Sequence, residues 1–362
     1  DELTDIFLAM AYRKHFVIED DTSAAVHRLF EQLYLRKDKN FGNAREARKV
    51  FDETVEKQSH RLIREMSNPQ FVQADMYKLT VEDLPMSQGE KKRPLDEILN
   101  EFDKLVGMRS VKNMVRRLAV QSMFMRQRSE QGVGNVQQMV MNFILTGNPG
   151  TGKTTIARKM GELLYSMDIL SSSKVVEVSR ASLVGKYMGE TPKIVNKMCD
   201  KAMGGILFID EAYMLNTDND NYGKEAIDTL VKRMEDDRGK FVVIAAGYKD
   251  EMSNFMMANA GLASRFSHKM HIEDYNENEL LSIYKGMASE EQFMLSPEAE
   301  FKLLDLICRM VVSKTKYFGN AREMRNLLDV TIQNLSQRVS MLSPSELTPE
   351  SYQMILPEDI KD

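Results

Sequence analysis

The segment "GNPGTGKTT" (147–155) sets glycines, a lysine and hydroxyls in the order G-x-x-x-x-G-K-T. It follows the apolar run "QMVMNFILTG" and leads into the helical pattern "TTIARKMGELLYSM". A glycine-rich turn between a strand and a helix is a phosphate cradle. Its glycines let backbone N–H groups curl around phosphate oxygens without Cβ clashes, and the helix N-terminus adds its dipole. The expected nucleotide contacts are Gly147, Asn148, Pro149, Gly150, Thr151, Gly152, Lys153, Thr154 and Thr155. Lys153 is expected at the β- and γ-phosphates, and Thr154 on Mg²⁺. A second segment, "GGILFIDEAYML" (204–215), runs four apolar residues into Asp210 and Glu211. Ligands of parallel α/β sheets bind at the carboxyl ends of the strands. Asp210 there can hold the Mg²⁺ site, mostly through water, and Glu211 can orient and polarise an attacking water. Together the two segments point to nucleotide hydrolysis.

These residues need a sheet to hold them. The strand patterns "QMVMNFILTG", "KVVEVS", "GILFID" and "KFVVIAAG" alternate with the helical patterns "TTIARKMGELLYSM", "TPKIVNKMCDKAM" and "GKEAIDTLVKRMEDD". That alternation predicts an α/β fold, a parallel sheet with both faces covered. Before it, "DEILNEFDKLVGMRSVKNMVRRLAVQSMFMRQRSEQ" reads as helices interrupted near Gly107. Residues 1–66 read as all-helical, with apolar spacings of three and four in "LTDIFLAMAY" and "AAVHRLFEQLYL". Residues 67–95 are polar and broken by Pro and Gly, which suggests a linker. The expected order is a helical module (1–66), a linker (67–95), an α/β domain (96–275) and a second helical module (276–362).

The two helical modules are related. "FGNARE" occurs at 41–46 and again at 318–323, and "ELTDIF" (2–7) faces "ELLSIY" (279–284) at the same offset. The tail "TPESYQMILPEDI" echoes "VQADMYKLTVEDL", so the similarity reaches the end of the chain. The repeat unit is a domain and not a solenoid turn.

Bulk composition narrows the function classes. A chain of 362 residues with 43% hydrophobic content can build two or three cores. No apolar run is long enough to span a membrane. A net charge of −5 disfavours a general grip on nucleic acid. Cys199 and Cys308 have no partner pattern for a disulfide framework or a metal, and read as small buried hydrophobes. The 27 Met residues, scattered at helical spacing, read as core filling. No signal peptide is visible, and a cytoplasmic protein is expected; the start without Met reads as that of a fragment.

The segments "LTGNPGTGKTTIARKMGELLY", "LVGKYMGET", "KAMGGILFIDEAYML", "YGKEAIDTLVKRMED", "FVVIAAGYKDEM" and "FGNAREMRNLLD" resemble the AAA+ ATPases, and among them the CbxX/CfqX family. The resemblance implies ATP and Mg²⁺ as cofactors, a homo-oligomeric ring that is a hexamer, and a protein client. It makes the helical modules lids. Tyr187, Met188 and Gly189 match the family's pore loop, which grips a substrate polypeptide; an ordinary packed aromatic is the alternative for Tyr187. Arg265, in "GLASRF", matches the arginine finger that completes a neighbour's site. Arg322 matches the sensor-2 arginine offered from the lid to the γ-phosphate, and Val106 and Gly107 fall near the nucleotide. One position departs from the pattern. Sensor 1 is usually a polar Asn or Thr, whereas "AAGYKDE" puts Tyr248 near that place. A remodelling motor is therefore the first expectation, and a slow nucleotide-gated switch the second. The first "FGNARE" makes residues 1–66 the lid of a preceding module, with Arg45 as the counterpart of Arg322, in a parent expected to be a tandem ATPase.

Overall fold

The structure is a computed structural model that describes residues 2–35, 42–65, 76–85, 92–131, 141–217, 220–257, 259–316, 318–344 and 346–361. The chain forms two compact units. One is Asp1–Arg93 with Leu170–Ser172, and the other is Pro94–Ile169 with Ser173–Asp362.

The first unit holds α1 (Glu2–Arg13), β1 (Val17–Ile18), α2 (Asp20–Leu35), α3 (Asn43–Glu65) and β2 (Lys78–Leu79). Its helices close on Phe7, Phe30 and Phe51, whose rings meet edge to face at 5.5–6.0 Å. Part of the segment expected as a linker belongs to this core. Leu79 and Leu84 are fully buried in it, and β2 pairs in parallel with β1. Asp83 locks the segment down: it receives Arg61 Nε and Nη2, both at 2.8 Å, and Thr80 N at 2.8 Å.

The second unit opens with α4 (Leu95–Lys104) and α5 (Arg109–Glu130). Then follow β3 (Phe143–Thr146), α6 (Lys153–Ser166), β4 (Val175–Val178), α7 (Arg180–Leu183), α8 (Thr191–Ala202), β5 (Ile206–Ile209), α9 (Asn221–Asp236) and β6 (Val242–Gly247). The α/β part ends with α10 (Lys249–Met257), α11 (Ala260–Arg265) and β7 (His268–His271). The five strands are all parallel, in the order β4-β5-β6-β3-β7. Every residue of β5 and β6 is buried, as a strand covered on both faces requires. Local signals set the helix limits. Asp220 caps α9 by accepting from Gly223 N at 3.0 Å, and Pro192 stands in the first turn of α8, where its missing N–H costs nothing.

The lid follows: α12 (Glu277–Glu290), β8 (Met294–Leu295), α13 (Pro297–Val312), α14 (Ala321–Ser340) and β9 (Met354–Ile355). It repeats the first unit down to single interactions. β8 pairs in parallel with β9 as β1 does with β2. Asp359 receives Arg338 Nε and Nη2 at 2.9 Å and Leu356 N at 2.9 Å, as Asp83 receives Arg61 and Thr80. Even the turn after the first helix repeats, with His15 at φ 62 and Gln292 at φ 64. Among the described residues no helix is long and apolar enough to cross a membrane.

Candidate nucleotide-binding and hydrolysis site

The phosphate loop leaves β3 at the carboxyl edge of the sheet and enters α6 at Lys153. Its shape is held from both sides. Gly147 N donates to Gly247 O at 3.2 Å, and Thr151 Oγ1 donates to Asn148 O at 2.8 Å. Gly150 meets the lid. At φ 68, a Cβ on it would lie 1.9 Å from Gly319 O and 2.9 Å from Arg322 N, so only glycine lets the lid approach this closely. Ala321 N donates to Gly150 O at 3.2 Å. Thr154 and Thr155 stand in the first turn of α6.

Lys153 Nζ donates to the carbonyls of Gly147 at 2.8 Å and Asn148 at 2.9 Å, and lies 5.5 Å from the centre of the Tyr248 ring. Burial holds its ammonium below the ordinary lysine range. Asp210 and Glu211 pull it back up, and Arg322 pushes it further down. The groups expected at the site from three separate segments thus share one electrostatic neighbourhood. Asp210 and Glu211 leave the end of β5, where Glu211 takes a left-handed backbone with φ 49 and its N–H donates to Asp210 Oδ1 at 3.0 Å. A left-handed non-glycine residue stores of order 1–3 kcal/mol, and such strain clusters at functional sites.

Tyr213, Gly247 and Met108, missed by the sequence reading, complete the arrangement. Tyr213 follows Glu211 in a tight turn, Ala212–Leu215, and its ring lies at the end of β6. Gly247 leaves room for it, since a Cβ there would come 2.7 Å from the ring. The Tyr213 and Tyr248 rings stand 5.6 Å apart. Burial and the nearby Glu211 carboxylate push the Tyr213 hydroxyl above its ordinary range. Tyr248, near the place expected for sensor 1, thus stacks beside a tyrosine that feels the acidic pair. Met108 is the third, its Cε 2.7 Å from where a Gly152 Cβ would be. Val106 and Gly107 occupy the break between α4 and α5, half-buried, with Gly107 against Tyr275 and Glu279.

The remaining expected residues lie in two other places. Tyr187 is 70% exposed and Met188 is 92% exposed, so neither side chain packs into the core of its own chain. Gly189, at φ 79, has nothing near its Cβ position. The base of this loop is fixed, because Glu190 Oε2 accepts from the N–H groups of both Lys186 and Tyr187 at 3.1 Å. Arg265 ends α11 and is not brought to the phosphate loop of its own chain. It bonds Glu235 Oε2 at 3.2 Å and Gly261 O at 3.2 Å, and its Nε is buried with no hydrogen-bond acceptor among the described residues.

The donor set suits a nucleotide with its cation. Among the described residues no group of three or more His, Cys, Asp or Glu could hold a metal by itself. Mg²⁺ needs no such cage, because it binds through one or two protein oxygens plus phosphates and water. The Thr154 hydroxyl and the Asp210 carboxylate offer hard oxygens of the type such a cation takes.

Comparison with known proteins agrees with this geometry. The AAA lid domain family matches residues 1–94 and 276–362. The ATPase family associated with various cellular activities (AAA) matches residues 143–274. The stage V sporulation protein K of Bacillus subtilis is 41% identical over 251 residues, covering 68% of this chain and 77% of that protein. The chloroplastic ribulose bisphosphate carboxylase/oxygenase activase of Cyanidioschyzon merolae is 39% identical over 273 residues, covering 75% and 92%. Protein CbbX of Cereibacter sphaeroides is 38% identical over 268 residues, covering 73% and 86%.

Proposed function

The chain belongs to the AAA+ ATPases of the CbxX/CfqX family and uses ATP with Mg²⁺, and on that premise we propose that it is a ring-forming motor that remodels a protein client. The phosphate loop holds the ATP phosphates, Lys153 faces the β- and γ-phosphates, and Thr154 and Asp210 hold Mg²⁺, which supplies charge neutralisation. Glu211 orients the attacking water. Arg322 approaches the γ-phosphate from the lid. Arg265 serves the site of the neighbouring subunit, in a ring of six, so a single chain has an incomplete site. Tyr187 and Met188 face the central pore and grip the client, and the protein works in the cytoplasm.

The observation that carries the grip is a bare aromatic–methionine pair on a loop whose base is clamped by Glu190. A 70% exposed tyrosine loses apolar contact that a core position would give it, so its role is sought outside the chain. The test uses Glu211→Gln to stall hydrolysis and fluorescently labelled casein as an unfolded client. With ATP, the stalled protein should hold casein in a high-mass species, and adding Tyr187→Ala should release it. Equal retention with and without Tyr187 would remove the pore loop from the mechanism. A slow nucleotide-gated switch is the second reading, favoured by one feature: the strand that ends in "AAGYKDE" carries Tyr248, and not a polar Asn or Thr, near the place expected for sensor 1.

A further inference from the structure

Asn320 sits where α14 begins, fully buried, with φ 48 and ψ −122. That backbone conformation favours glycine, so the asparagine side chain must be needed. Both ends of its side-chain amide are engaged. Oδ1 accepts from Tyr275 N at 3.0 Å. Nδ2 donates to Asp274 Oδ1 at 2.9 Å, Phe318 O at 3.0 Å and Pro149 O at 3.2 Å. One side chain therefore ties the lid to the phosphate loop and to the segment joining β7 to α12.

Asp274 is the other half. Its Oδ1 also accepts from Asn148 Nδ2 at 2.9 Å, and its Oδ2 accepts from Lys314 Nζ at 3.2 Å. A single carboxylate thus receives one amide from the phosphate loop, one amide from the head of α14 and one ammonium from the end of α13. Burial alone would raise its pKa, but these three donors outweigh it and hold the carboxyl below the ordinary aspartate range. Asn148 is doubly engaged. Its side chain reaches Asp274, while its carbonyl accepts from Lys153 Nζ and from Thr151 Oγ1. Phosphate oxygens compete with that carbonyl for the Lys153 ammonium, because a charged acceptor makes the stronger hydrogen bond.

We propose that Asp274 and Asn320 form a latch through which phosphate engagement at Lys153 sets the position of the lid. Asp274 is a positioning residue in this reading, since it acts on the site through Asn148 and Asn320. When Lys153 turns to phosphate, Asn148 loses a main-chain partner and shifts. Asp274 carries that shift to Asn320, and Arg322 lies two residues further along the same helix. The latch also explains why asparagine is held in a strained backbone at the third position of "FGNARE". The inference rests on the ATPase assignment, not on ring assembly or the pore loop, and stands or falls separately from them.

The test uses the full chain and amide hydrogen exchange at residues 321–324, without nucleotide and with a non-hydrolysable ATP analogue. In the unaltered protein the analogue should change exchange at the head of α14. In Asp274→Ala the analogue should still bind with its affinity changed less than about 3-fold, while the α14 response disappears. The kcat for ATP should then fall about 10-fold, with KM nearly unchanged, which is an ordinary size for coupling between two sites. Asn320→Asp alone places two carboxylates together and should abolish the response. Combined with Asp274→Asn, which restores an amide–carboxylate pair, the response should return in part. An α14 response that survives in Asp274→Ala, even with a lowered unfolding temperature, would make the latch structural glue and overturn the proposal. If Asp274→Ala does not fold, the exchanged pair decides: recovery supports the latch, and no recovery refutes it.

Discussion

Replacing Gly150 by alanine puts a methyl group 1.9 Å from the carbonyl oxygen of Gly319. Unstrained C···O contacts lie near ~3.3 Å, so the head of α14 must retreat by about 1.4 Å. Both atoms belong to backbone, and no side chain can yield instead. The retreat breaks the bond from Ala321 N to Gly150 O, a loss of about 1 kcal/mol. Alanine at φ 68 adds roughly 1–2 kcal/mol of left-handed strain. Docking of the lid on the phosphate loop should therefore weaken by about 2–3 kcal/mol. Displacement of a catalytic group by about 1 Å can cost 10²-fold in rate, so kcat should fall roughly that far because Arg322 moves with the helix. The assay is ATP turnover at saturating ATP, with thermal unfolding recorded in parallel. Gly286→Ala is the control. It lies inside α12 with nothing near its Cβ position, and should stabilise by about 0.5–1 kcal/mol without changing turnover. Turnover of Gly150→Ala within about 2-fold of the unaltered protein would mean that the lid contact does not position Arg322 for catalysis.

Other expectations follow from the same coordinates. Asp83→Ala removes the buried carboxylate that pairs with the buried Arg61 guanidinium and should destabilise the first unit by roughly 3–5 kcal/mol, measured by chemical unfolding. The native Asp83 carboxyl is held below its ordinary value of 3.8, its hydrogen bonds to Arg61 and Thr80 outweighing the opposing effect of burial. Its contribution is therefore full above that pH and is lost as pH falls toward the lower folded value; an acid titration of stability in which Asp83→Ala loses more stability below pH 3.8 than the unaltered protein would contradict this. Tyr248→Phe keeps the ring beneath the Lys153 ammonium and removes a hydroxyl that shares the electrostatic surroundings of Glu211 and Arg322. Loss of one polar interaction of about 1.4 kcal/mol beside the acidic pair corresponds to about 10-fold in kcat, with ATP affinity unchanged; a drop in affinity instead would assign Tyr248 to binding.

The sequence exposed some of this plainly and hid the rest for physical reasons. The phosphate loop and the acidic pair are contiguous segments whose geometry is local, so "GNPGTGKTT" and "FIDEAY" could be placed from spacing alone. The repeat could also be read, because "FGNARE" and its helical surroundings recur without a gap. Residues 76–85 were harder. "KLTVEDL" is too short and polar to show a periodicity, and its packing depends on Asp83 meeting Arg61, 22 positions away. β7 hides for a similar reason, since only Met270 of "HKMH" is buried. Asp274 meets Asn148 across 126 positions, and Tyr213 gains meaning only because Gly247 admits its ring. No periodicity records such contacts. The 70% exposure of Tyr187 is likewise a property of the folded chain that spacing does not record.

The most direct measurement is ATP turnover per chain across a wide range of protein concentration. If Arg265 completes the site of a neighbouring subunit, the specific rate should rise steeply with concentration and then level off. Arg265→Ala should remove that rise while leaving ATP bound. A specific rate that stays constant and substantial down to the lowest concentration would contradict a site shared between subunits. It would assign hydrolysis to the single chain, where Arg265 remains bonded to Glu235.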